Sequence, residues 1–320
     1  MATSPAFRLV ARADQRAFLG LPWSLPLEEW PGEILVDADR GIGRHVVRFV
    51  AFGSSLYALK ELPPRIATRE YGLLTKLEDE GLPIVSAAGI VERPELESVL
   101  ITRYLEFALP YRLILGRGTR GVPETAMRAA LAELLVRLHL AGFFWGDCSL
   151  SNALFRRDAG ALAAYAVDAE TGELHERLSD GQRGHDLEIA EENLAGELFD
   201  LAAELERDIV DDPFAFAADV RARYDDLWSE LTREEVFAPD DSAKLEERLR
   251  RLNELGYDVD EVELISSGDE VRLRLHSKVV EPDYHRRRLL HLTGLDAQEN
   301  QARRLLNSIT RHRARLESEG

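Results

Sequence analysis

The chain has one cysteine, Cys148, in 320 residues. That excludes an intramolecular disulfide and a metal cluster built on cysteine alone, and it favours a reducing compartment. Long apolar runs are missing too. Near the N-terminus Phe7, Leu9 and Val10 are interrupted by Arg8, Arg12, Asp14 and Arg16, too short a stretch for a signal peptide or a membrane span. A cytoplasmic protein without a membrane span is expected. Basic residues are scarce relative to acids, and the formal net charge of −18 argues against broad binding to nucleic acid or anionic membranes. No nucleic-acid partner is expected. Internal repeats and low-complexity stretches are also lacking.

The charge is uneven. Residues 180–212 hold twelve acids against Arg183 and Arg207, whereas residues 284–315 hold eight arginines against Asp296 and Glu299. Solvated helix faces explain both. A phosphate- or partner-binding tail also fits the second, with Arg286, Arg287 and Arg288 as its centre. So does a basic helix packed on the acidic segment of the same chain.

Residues 1–32, with Pro22, Pro26 and Pro31 around Trp23 and Trp30, read as an irregular N-terminal arm. Strands are expected over 34–36, 45–52, 56–62, 87–92 and 98–104, with a glycine-containing turn over 37–43 and one helix over 67–80. This makes a small α+β lobe over 33–106. After Leu105 the pattern turns helical. Pro123 opens a long helix that Gly142 closes. A loop then precedes strands 153–157 and 162–167, joined by the turn Asp158-Ala159-Gly160. An irregular segment to about Gly184 and two acidic helices complete a mainly helical lobe over 107–234. Residues 235–320 form a separate accessory domain with a helix, a hairpin and an arginine-rich helical end. The expected fold class is α+β, with two lobes and a small C-terminal α/β domain.

Chemistry concentrates at a few positions. In strand 56–62 alternation places Leu56, Ala58, Lys60 and Leu62 on one face, so a lysine stands among apolar neighbours and needs an anion. In the following helix Glu70 shares the stripe of Leu73, Leu74 and Leu77, where a carboxylate is costly unless paired. A Lys60–Glu70 pair resolves both; a snorkelling lysine and a marginal glutamate are the other solution. Asn152 stands before one strand and Asp168 after the next. If the turn at Asp158-Ala159-Gly160 reverses the chain, both reach the open end of one hairpin, with Asp147 on the same loop. Hard oxygen ligands of this kind suit magnesium.

The segment Gly146-Asp147-Cys148-Ser149-Leu150-Ser151-Asn152 resembles the catalytic loop of protein-kinase-like enzymes in its Asp-x4-Asn spacing. Its Gly-Asp start is similar to that of the aminoglycoside phosphotransferase and lipopolysaccharide-kinase branches, within which an uncharacterised bacterial family is expected. Ala58-Leu59-Lys60 resembles the kinase nucleotide-anchoring strand, and Val167-Asp168-Ala169-Glu170 falls where the metal-binding Asp-Phe-Gly stands.

The resemblance implies a bilobal kinase-like fold over residues 34–230 that binds ATP and Mg2+. It implies that Lys60, held by Glu70, contacts the α- and β-phosphates, that Asp147 orients the acceptor hydroxyl, and that Asn152 and Asp168 hold the magnesium. Gly41 and Gly43 would cover the phosphates, and Glu106 and Phe107 would form the hinge that meets adenine. Asp186, read as the start of the first acidic helix, would cap that helix and brace the catalytic loop, or cap the helix alone.

The chain departs from the pattern at the reduced glycine turn, at Trp145 where many relatives carry histidine, and at Ala169-Glu170 in place of Phe-Gly. Glu170 reads as a solvated loop acid, and Cys148 as a small packed residue. The implied function is γ-phosphoryl transfer to a hydroxyl of an unknown acceptor, be it a small molecule, a glycolipid or a protein. The alternatives are a nucleotide-sensing or scaffolding pseudokinase, and AMP transfer.

Overall fold

The computed structural model describes residues 7–12, 16–37, 45–116, 123–238, 242–259, 263–267, 270–274 and 280–319. The glycine turn with Arg40, Gly41, Gly43 and Arg44 lies outside them.

The first sheet has five antiparallel strands: β1 (Arg8–Ala11), β2 (Val47–Phe52), β3 (Ser55–Leu62), β4 (Ala87–Glu92) and β5 (Ser98–Arg103), in the order β1-β4-β5-β3-β2. Its strands read as nearly continuous apolar runs because both faces are covered. Leu62, Ile90 and Leu100 belong to the cluster that also contains Leu74 and Leu77 of helix α1 (Pro64–Asp79). Tyr57, Leu59, Val91, Val99 and Ile101 face the other way, against Phe18, Trp23, Leu27 and Trp30.

Two expectations for the N-terminal part are corrected. The arm is not wholly irregular, since β1 pairs with β4 along the sheet edge. Residues 34–36 do not form a strand: Gly32–Ile34 is a 3-10 turn following Pro31, and only Val36 N–H reaches the sheet, at Phe49 O (2.8 Å).

A buried ion pair fastens the arm. Arg93 donates to Glu61 Oε1 (2.6 Å) and to Leu25 O (2.8 Å), and Leu27 N–H donates to the same Glu61 oxygen (2.9 Å).

A second sheet contains β6 (Ala108–Pro110), β8 (Ala153–Asp158) and β9 (Ala161–Ala166), in the order β6-β8-β9. The β8–β9 turn is Ala159-Gly160, both with positive φ (50° and 93°), the backbone of a two-residue hairpin loop that matches strand twist. Helix α2 (Glu124–Leu140) packs on β9 and supplies ten buried residues. Strand β7 (Phe143–Phe144) pairs with β10 (Glu173–Leu174). Helices α3 (Asp180–Glu204) and α4 (Pro213–Thr232) follow. The expected irregular stretch to Gly184 therefore ends earlier. Ser179 and Gln182 form a capping box that starts the helix despite Gly181 and Gly184 in its first turns.

Beyond residue 232 come β11 (Glu235–Phe237), α5 (Ser242–Glu254), β12 (Asp258–Val259), β13 (Glu263–Ser267), β14 (Glu270–Arg274), β15 (Val280–Glu281), α6 (Tyr284–Thr293) and α7 (Glu299–Glu319). Leu252, Tyr257 and Leu273 of this segment join the same apolar cluster as α2 and α3. Among the described residues no helix is long and apolar enough to cross a membrane.

Candidate active site

Antiparallel pairing of β3 between β2 and β5 sets Lys60 opposite Val47 and Leu100. Its ammonium group meets Asp168 Oδ2 at 2.6 Å, Glu70 Oε2 at 3.4 Å and Glu170 Oε2 at 3.4 Å. Burial works to lower the Lys60 pKa, but Glu70, Asp168 and Glu170 together outweigh it and hold the pKa above its ordinary value.

Glu70, 1 % exposed, lies on the inner stripe of α1 and accepts the Ala169 N–H at Oε1 (3.3 Å). Burial, reinforced by the charge of Asp168, raises its pKa to about 7, although Lys60 and the Ala169 N–H pull the other way. Burial wins because a carboxylate loses more hydration there than one shared ammonium returns.

Asp168 follows β9 directly. The β8–β9 register pairs Ala153 with Ala166, and Val167 N–H donates to Asn152 O (3.0 Å). Asn152 and Asp168 thus stand at the open end of one hairpin. Asn152 Nδ2 donates to Asp147 O (3.0 Å) and to Asp147 Oδ2 (3.1 Å), while Asn193 Nδ2 of α3 donates to Asp147 Oδ1 (3.1 Å). Two amides therefore fix the Asp147 carboxylate.

The loop carrying Asp147 is held from beneath. Asp186 is fully buried and accepts from Trp145 N–H and Gly146 N–H (2.7 Å each) and from His139 Nε2 (3.0 Å). It sits in the second turn of α3, so it is not the start or the cap of that helix. Gly146 has φ of +74°, and an added Cβ would stand 3.0 Å from the Phe144 ring, so the position requires glycine. Trp145 is 1 % exposed and its indole N–H donates to Asp168 O (2.8 Å). In this chain it links the loop to the Asp168 backbone.

Glu170 is corrected. It is not a solvated loop acid, because its N–H bonds back to Asp168 Oδ1 (2.8 Å) and the resulting turn aims its carboxylate at Lys60 and at His45 Nε2 (2.9 Å). No spacing rule announces this contact, since His45 lies 125 residues away. Asn193 is likewise unmarked in the sequence. Glu106 and Phe107 are not brought to this cluster. They form the exposed tip of a turn closed by Ala108 N–H on Leu105 O (3.2 Å), with Phe107 86 % exposed.

Glu70, Asp168 and Glu170 bring carboxylate oxygens within 4.8 Å of one another. Hard anionic donors of this kind fit a divalent cation such as magnesium, and Lys60 provides the charge for a phosphate.

Residues 49–200 match the family model described as the Lipopolysaccharide kinase (Kdo/WaaP) family. Residues 226–320 match a domain of unknown function, DUF4032. No curated protein sequence matches the chain. Among solved structures, "WaaP in complex with acyl carrier protein" is 18 % identical, with a TM-score of 0.42, and the match covers 69 % of this chain and 99 % of that one.

Proposed function

We propose that this chain, which resembles the kinase-like lipopolysaccharide-kinase family over residues 49–200, is an ATP- and magnesium-dependent phosphotransferase that delivers the γ-phosphate to a hydroxyl of an unidentified acceptor. The observation that carries the reading is the convergence of Lys60 and Asp168 at 2.6 Å, with Glu70 behind them and the Asp147–Asn152 pair at the same hairpin end. Lys60, Glu70 and Asp168 come from three separate stretches of sequence and form one charge cluster, and the loop carrying Asp147 and Asn152 joins the hairpin strand that ends at Asp168.

In this reading Asn152 and Asp168 hold the magnesium, which neutralises phosphate charge when bound. Lys60 exchanges part of its carboxylate company for the α- and β-phosphates, and Glu70 keeps it in position. The Asp147 carboxylate, oriented by Asn152 and Asn193, accepts the hydrogen bond of the acceptor hydroxyl and takes its proton as the new P–O bond forms and ADP leaves. Positioning and charge neutralisation supply most of the rate. The backbone near Glu106 and Phe107 would meet the adenine. The same proposal divides the chain into an arm (1–32), two lobes (33–106 and 107–234) that enclose the nucleotide, and an accessory domain (235–320).

The test is Mg-ATP turnover by the purified chain. Replacing Asp147 or Asp168 with alanine is expected to lower it by at least about a hundredfold. Wild-type turnover that survives both substitutions sinks the reading. Saturable ATP binding with no turnover under any condition assigns the chain instead to nucleotide sensing.

A further inference from the structure

Behind the β8–β9 hairpin lies a cavity of about 330 Å³, at the lower end of the size range of small-molecule sites. Its walls come from α2, from the two hairpin strands and from the segment around α6 and α7, and no residue of the Lys60 cluster lines it. The polar lining is mostly self-satisfied. Asp158 accepts the N–H groups of Asn300 and Gln301 (2.7 and 2.8 Å). Asp283 takes Arg137 in a two-bond pair (3.2 and 3.1 Å). Asp296 takes Arg286 in another (2.7 and 2.9 Å). Glu299 accepts from His285 Nδ1 (2.5 Å) and from Arg286 N–H (2.9 Å).

Glu133 differs. It is half-buried and lines the cavity, yet among the described residues its carboxylate makes no hydrogen bond or ion pair. Arg137, one helical turn along α2, is committed to Asp283 instead. Burial raises the Glu133 pKa, and the carboxylates of Asp283, Glu299 and Asp158 add to the rise against the opposing pull of Arg137. Tyr257, 2 % exposed, belongs to the same charge cluster, and its buried hydroxyl also has no partner. Beside Glu133 the wall is apolar, made by Leu82, Pro83, Leu134 and Leu162. A complementary ligand needs a cationic donor at one end and carbon at the other, because an unpaired carboxylate in such a place is costly.

We propose that this cavity is a second ligand site, taking a small primary amine with an apolar body whose ammonium group pairs with Glu133.

The test uses the full chain, with cyclohexylammonium as probe and cyclohexanol as its neutral counterpart, read by calorimetric titration. Saturable binding of the amine, with cyclohexanol at least tenfold weaker, is expected. Glu133→Gln should weaken the amine by about tenfold or more, the loss of one charge-assisted hydrogen bond. Ala163→Leu, which fills the cavity from β9, should abolish binding, and it carries the test alone if Glu133→Gln does not fold. Asp168→Ala should bind the amine as the wild type does. The proposal is overturned by no saturable binding to the wild type, by equal binding of amine and alcohol, or by an unaffected cavity variant. Loss of binding in Asp168→Ala also overturns it, because that result would place the amine at the Lys60 cluster.

Discussion

At the scale of single residues, burial decides which polar groups carry weight. Arg93 and Glu61 are 4 % and 8 % exposed, and together they hold Leu25 O and Leu27 N–H of the arm against the sheet. Removing one partner leaves the other charged, buried and unmatched, so Glu61→Ala is expected to cost about 3–5 kcal/mol in urea unfolding. A loss below 1 kcal/mol would mean that Arg93 finds another anion or water. Cys148 shows the opposite case. Burial pushes its thiol well above the ordinary range, and the charges of Asp186, Glu197 and Asp147 push the same way. It should stay unreactive to a thiol reagent at pH 8 in the folded chain and react at once in denaturant; fast labelling of the native protein would contradict the packing. Lys60 and Glu70 were legible in the sequence because each is a charge on an otherwise apolar periodic face. Glu170 and His45 were not, because the Asx-type turn at Asp168 decides where Glu170 points, and His45 approaches it from the distant bend that precedes β2.

At the scale of elements, α2 and α3 fix the loop through His139. This residue is 1 % exposed, meets Asp186 with Nε2 and Tyr224 hydroxyl with Nδ1 (2.7 Å), and burial lowers its pKa below the ordinary 6.5, against the opposing pull of Asp186. Arg183 completes the surroundings by donating to the Tyr224 hydroxyl (3.2 Å). The neutral ring thus donates to a carboxylate and accepts from a phenol. The sign follows from proton counting. Below pH 6.5 the unfolded chain binds a proton at this histidine that the folded chain refuses, so the stabilisation is complete above 6.5 and is lost as pH falls. Between pH 7.5 and 5.5 the wild type should lose about 1 kcal/mol more than His139→Gln, since carboxylate titrations are common to both chains. Equal losses in chemical denaturation would show that the ring is charged in the fold. The α2 boundaries and the β8–β9 hairpin were readable from Pro123, Gly142 and the Asp158-Ala159-Gly160 turn. The start of α3 was not, because the stretch to Gly184 reads as irregular chain, and the capping box of Ser179 and Gln182 starts the helix through Gly181 and Gly184.

At the scale of the whole molecule, the segment after residue 232 attaches to the hairpin that carries Asn152 and Asp168. The tie is Asp158, 3 % exposed, which was read in the sequence as a turn residue alone. It also caps α7 from another element, accepting Asn300 and Gln301 N–H groups that the helix itself cannot satisfy. Sequence periodicity could not reveal this, since the partners are more than 140 residues apart. The basic helical end is anchored here through its N-terminus, and Arg137–Asp283 adds a second tie between α2 and the residue preceding α6. Asp158→Ala removes both capping bonds and the negative charge that favours a helix N-terminus. It should lower stability by about 1–2 kcal/mol and speed amide exchange over residues 299–306, while exchange in the five-stranded sheet stays unchanged. The alternative is that buried Leu289, Ala302 and Leu306 hold α6 and α7 together without the cap, in which case exchange in α7 would not move. The two outcomes separate a docked helix that depends on the hairpin from one that merely lies beside it.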